Sequence, residues 1–170
     1  MNSNRLLRGT CLLFIFLCLG CAARVRVTSE PPPFPGTFMA AGWGDSVDRV
    51  KAAIEKDGSG LFQDGTERRP YALYASGTYF GEAATFSYFF TPKSRKLYRI
   101  DVTYKDPMVF EKVKGSLIQA FHDPTYSKGD VDHWDWRNDS LVILQREPFL
   151  IQISYMNGPF LRINHDEGGT

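Results

Sequence analysis

The densest run of ligating side chains is Asp130-Val131-Asp132-His133-Trp134-Asp135, with His122 and Asp123 shortly before it. Carboxylates and imidazoles are the ligand types of divalent metals. A calcium loop, however, needs oxygens at alternate positions and a glycine at the sixth. Counted from Asp130, the third alternate position is Trp134 and the sixth is Asp135. On a strand, Asp132 and Trp134 face one side while His133 and Asp135 face the other, so these ligands do not converge. A polar loop running into a strand is the expectation. A metal-dependent hydrolase using His122, His133 and a nearby Asp ranks last among the functional readings.

Nucleophilic catalysis finds no set either. There is no Gly-x-Ser-x-Gly elbow. Gly58-Ser59-Gly60 follows a helical pattern and lacks the strand-before, helix-after setting of a phosphate loop. Asn138-Asp139-Ser140 matches a glycosylation sequon but falls in a tight turn. No catalytic residue, metal ligand or cofactor is assigned, and the expectation is a non-enzymatic protein.

The aromatic residues offer binding chemistry instead. Trp43, Trp134 and Trp136 are read first as packing residues and second as a partner patch, since exposed aromatics concentrate at interfaces. Precursor charge is +1, from 20 Lys and Arg against 19 Asp and Glu. Such a balance argues against nucleic acid, which demands a basic patch.

These side chains must be positioned by regular elements. Val47, Val50 and Ile54 fall on one helical stripe, opened by Asp45 or Ser46 and stopped at Gly58. Alternation then predicts strands over 71–79, 84–90 and 98–104. Asp106-Pro107 opens a second helix with the stripe Phe110, Val113, Leu117 and Phe121, closed by Asp123-Pro124. Strands are expected over 132–136, 141–146 and 149–156, then a short edge strand over 160–163.

The resulting fold class is α+β: two helix-then-antiparallel-meander units, with two helices packed on one face of an antiparallel sheet. The face away from the helices would present Thr85, Ser87, Phe89, Arg99, Asp101, Leu150, Gln152 and Ser154. From these, Phe89, Arg99, Asp101 and Gln152 are taken as candidate partner-binding residues. A mixed polar face with a few large apolar groups has the composition of a modest protein interface.

The amino terminus carries a different signal. Arg5 and Arg8 precede an apolar run from Cys11 to Leu19, too short for a hydrocarbon core needing about 20 residues. A positive start, a short apolar run and a small residue make a secretory signal. The cysteines, Cys11, Cys18 and Cys21, all lie at or before the end of this segment. Leu19-Gly20-Cys21-Ala22 resembles the lipobox of bacterial lipoproteins, departing from it at Cys18, where Leu is usual. That resemblance implies cleavage before Cys21, a lipid on its sulfur, an acylated amino terminus and, with Ala22, sorting to the outer membrane.

The domain plan follows: 1–20 removed signal, 21–40 lipidated cysteine and Pro-rich tether, 41–164 one α+β domain, 165–170 loose tail. A proline-rich spacer of about eighteen residues spans on the order of 50 Å. Gly44-x-Ser46-x-x-x-Val50-x-x-x-Ile54 is similar to the first-helix pattern of the SmpA/OmlA-like outer-membrane lipoproteins. Leu117 through Phe121-His122-Asp123-Pro124, followed by Trp134-x-Trp136, looks like the second half of many bacterial lipoproteins. Those have Tyr-Gly where this chain has Phe121-His122. The resemblance implies a non-catalytic assembly or interaction domain held at a membrane and facing the periplasm. Its partners would be the membrane, through acyl chains on Cys21, and an envelope protein. The runner-up is an envelope protein that binds a small ligand, lipid or peptide.

Overall fold

The computed structural model describes residues 32–169. Cys21, the signal segment and the first part of the expected tether lie outside the described residues. The described chain is mixed α/β, with three α-helices and an eight-stranded sheet. A two-stranded hairpin, β1 (Thr37–Phe38) and β2 (Ala41–Gly42), precedes helix α1 (Val47–Lys56). Four strands follow: β3 (Gly60–Gly65), β4 (Ala72–Tyr79), β5 (Glu82–Phe90) and β6 (Leu97–Tyr104). After a 3₁₀ turn comes α2 (Phe110–Phe121). Then come β7 (Tyr126–Lys128), β8 (Val131–Asp135), β9 (Leu141–Glu147), β10 (Leu150–Met156) and α3 (Gly158–Asp166).

The strand order is β3-β4-β5-β6-β10-β9-β8-β7, antiparallel at every pairing. The first four strands form one half and the last four the other, joined where β6 meets β10. The expected helix stripes face the core: Val50 and Ile54 from α1 are buried and Val47 partly so, and Phe110, Val113, Leu117 and Phe121 from α2 are buried. They pack on Phe86, Tyr88, Ile100, Val102, Ile151, Ile153 and Tyr155 from the sheet.

Four sequence expectations need correction. Strands β3 and β7 lie where the sequence predicts no strand; both are exposed almost throughout, so neither carries an alternation. The chain beyond Asn157 is helix α3, not an edge strand. Asn157 Oδ1 caps it by accepting from Phe160 N at 3.3 Å, and a proline occupies its first turn. The expected tail is docked, because Glu167 accepts hydrogen bonds from the Lys93 and Ser94 amides.

The fourth correction concerns the tether. Residues 32–40 belong to the domain: Phe38 is 4% exposed and packs on Tyr79, Phe86, Tyr88 and Tyr155. The β1–β2 hairpin carries that ring into the core, and Ala40 N donates to Asp57 Oδ2 just past α1. Phe34 and Phe38 make this proline-rich segment adhesive.

Gly44 shows how tightly the α1 entry is built. It has φ +79°, and a Cβ there would lie 2.1 Å from the Phe160 ring of α3. Only glycine meets both the conformation and the space.

Candidate functional site

The sheet has one face under α1 and α2 and one turned away. Strand register sets the second face in rows that cross the sheet. One runs Tyr74, Ser87, Asp101, Ser154, Ile143, His133 and Tyr126. Beside it runs Ala72, Phe89, Arg99, Met156, Leu141 and Asp135. On the other side lie Ser76, Thr85, Thr103, Gln152, Gln145, Val131 and Lys128. Tyr74 and Phe89 thus flank a polar centre on one side; Met156, Leu141, Ile143 and Tyr126 flank it on the other.

That centre is a hydrogen-bonded network. Arg99 donates from Nε to Asp101 Oδ1 at 2.7 Å and from Nη2 to Oδ2 at 2.6 Å. Gln152 Nε2 donates to Asp101 Oδ2 at 3.2 Å and to Ser154 Oγ at 3.0 Å. The Arg99 guanidinium also sits over the Phe89 ring, 5.2 Å from its centroid. Burial disfavours the charged Arg99, but hydrogen bonding and charge from Asp101 outweigh it and hold the guanidinium protonated. The four candidate residues Phe89, Arg99, Asp101 and Gln152 are therefore brought together. Their exposure differs: the Asp101 side chain is 10% exposed and the Arg99 side chain 33%. Asp101 orients Arg99 and Gln152, whereas Arg99 and Phe89 are what a partner would touch.

The acidic run splits as strand alternation requires. Asp132 and Trp134 point to the helix side and are buried, whereas His133 lies on the open face against the Tyr126 ring. His122 is the α2 C-cap, at φ 65°, and its carbonyl accepts from Trp134 Nε1 at 2.9 Å. Among the described residues, no three His, Cys, Asp or Glu side chains approach closely enough to hold a metal ion.

Sequence reasoning missed the role of Asp132. Its carboxylate is 1% exposed, accepts from Ser127 Oγ, and has Lys114 Nζ of α2 2.7 Å from Oδ2. That Oδ2 has no aligned hydrogen bond, so charge is what Lys114 supplies. The pair joins α2 to the β7–β8 edge. Lys114 lies one residue after Val113, beside the buried stripe, and that offset was the available signal.

Core hydroxyls form a second polar set. Tyr79 and Tyr155 share a hydrogen bond of 2.9 Å, and Tyr104 OH donates to the Tyr79 carbonyl at 3.3 Å. Burial raises the Tyr79 phenol and pushes that of Tyr155 well above its ordinary value.

No described helix is long and apolar enough to cross a membrane. No protein-family model, curated protein or solved structure matches the chain.

Proposed function

We propose that this chain is a lipid-anchored protein of the bacterial cell envelope, acylated at Cys21, with a non-catalytic interaction domain facing the periplasm. The SmpA/OmlA-like resemblance and the outer-membrane location it implies are part of the same proposal. So is reading the domain as two helix-then-meander units, α1 with β3–β6 and α2 with β7–β10. The observation that carries the interaction role is the open sheet face. Eight strands present a preorganised Arg99–Asp101–Gln152–Ser154 centre between apolar flanks, and its charged groups are already oriented.

The anchor sets how far this face can reach. Pro32 lies eleven residue steps beyond Cys21 (32 − 21 = 11), which fully extended span at most about 40 Å. The incorporation of residues 32–40 into the domain shortens the expected tether accordingly.

The test is a pull-down from envelope extracts with the Phe89→Ala/Arg99→Ala double variant. Recovery of a specific partner should fall at a temperature where the variant stays folded, because neither side chain is part of the apolar core. Undiminished recovery of every partner would remove this face from consideration.

A further inference from the structure

The stem of the domain, residues 32–35, is held by two side-chain donors. Pro32 and Phe34 each precede a proline, which confines them to extended backbone, and Pro33 and Pro35 have φ fixed near −65°. A polyproline II segment has three residues per turn and no internal hydrogen bonds, so its carbonyls need outside donors. Carbonyls three residues apart point to the same side.

Two indoles meet those two carbonyls. Trp136 Nε1 donates to the Pro32 carbonyl at 2.6 Å, and Trp43 Nε1 donates to the Pro35 carbonyl at 2.8 Å. Between them the Phe34 ring lies 5.5 Å from Trp43 and 5.1 Å from Trp136, the latter edge-on. Phe121, at the end of α2, meets Trp136 at 90° and backs the groove. Trp43, Trp136 and Phe34 are only partly buried, so this is a groove at the rim of the core. Aromatic walls with indole N–H donors matched to proline carbonyls are the means by which proline-rich peptides are recognised.

We propose that Trp43, Trp136 and Phe121 form a recognition groove for proline-rich peptides, occupied in cis by Pro32–Pro35 and open to a partner peptide of the same Pro-x-x-Pro spacing. The geometry allows the exchange. Residues 32–35 precede the β1–β2 hairpin, so they can leave while Phe38 stays in the core. Phe34 is the main apolar contact of the cis segment, so weakening it vacates the groove without altering either indole. Only the vacated fraction binds a peptide in trans, and apparent affinity scales with that fraction. The inference rests on the stem and is independent of the sheet face and of lipidation.

The experiment uses the full chain and a synthetic peptide of residues 31–37, Pro-Pro-Pro-Phe-Pro-Gly-Thr, titrated by calorimetry and by tryptophan fluorescence. The Phe34→Ala chain should bind the peptide at least ~10-fold more tightly than the unaltered chain. A peptide with alanine at the positions of Pro32 and Pro35 should lose that binding, a control that leaves the protein untouched. Adding Trp136→Phe, which keeps a ring but removes the N–H, should weaken binding at least ~10-fold. Trp43→Phe serves the same purpose should the first variant fail to fold. Absence of saturable binding to the Phe34→Ala chain would overturn the proposal, as would equal binding of the alanine peptide. A concentration-dependent dimer of the unaltered chain, lost on Phe34→Ala, would overturn the partner-peptide assignment in favour of stem exchange between copies.

Discussion

Replacing Phe38 with alanine tests whether the stem is part of the fold or an accessory to it. The ring is 4% exposed, with centroids of Tyr79 at 5.1 Å, Tyr155 at 5.2 Å, Phe86 at 5.9 Å and Tyr88 at 6.3 Å. Truncation forfeits the transfer free energy of the ring and leaves a cavity that four large aromatics cannot readily collapse into. Phe→Ala substitutions at such sites cost about 3–5 kcal/mol. The described domain has 138 residues (169 − 32 + 1), for which marginal stability gives roughly 7–20 kcal/mol in total. The variant should therefore fold but lose a large share of its stability. Equilibrium urea unfolding, monitored by tryptophan fluorescence, should show a lowered midpoint at unchanged slope, the mark of altered stability without altered surface exposure. A loss below about 1 kcal/mol would refute the reasoning, because it would mean the hairpin can leave the sheet at little cost.

Other expectations follow from individual contacts. Lys114→Met leaves the Asp132 carboxylate buried without its cation and should cost about 3 kcal/mol; Lys114→Met combined with Asp132→Leu should recover most of it, as a double-mutant cycle would record. Val113→Ala, at a fully buried α2 position, should destabilise by roughly 1–3 kcal/mol without touching partner binding, the reverse of the Phe89→Ala/Arg99→Ala outcome. Desolvation would raise the Glu167 carboxyl, yet hydrogen bonds from Ser94, Lys93 and Thr91 lower it from 4.5 to about 2. Its contribution is thus present above pH 4.5 and lost as pH falls toward 2, so protection of the Lys93 and Ser94 amides against hydrogen exchange, relative to the intrinsic rate at each pH, should fall over that window while the β-sheet core stays protected.

How legible these features were depended on periodicity. Both helix stripes and the strands of β4, β5, β6, β9 and β10 could be read because each buries one side and leaves a regular pattern. The candidate partner residues were legible for the same reason: once Phe86 and Tyr88 face the core, Ser87 and Phe89 must face away. What escaped lacks that pattern. Strand β3 is exposed on both faces and held by pairing with β4 through a bulge at Leu61/Gln63. Beyond Met156 the sequence predicts a short edge strand over 160–163, whereas Asn157 is a helix cap and Pro159 a first-turn residue of α3. Gly158 has a further reason to be glycine, since a Cβ would lie 2.1 Å from the Asn138 carbonyl oxygen. The stem escaped because composition reports that a segment is extended, not what it lies against. Two indole donors separated by 93 positions (136 − 43) leave no local signature.

The central claim is the anchor at Cys21, and the intact mass of the protein purified from bacterial membranes tests it most directly. The account predicts a chain beginning at Cys21, heavier than the polypeptide from residue 21 to 170 by the mass of a diacylglyceryl group and an amino-terminal acyl chain, with Cys21→Ser abolishing both processing and membrane retention. A chain retaining Met1, a mature chain of bare polypeptide mass, or membrane retention unchanged by Cys21→Ser would contradict it.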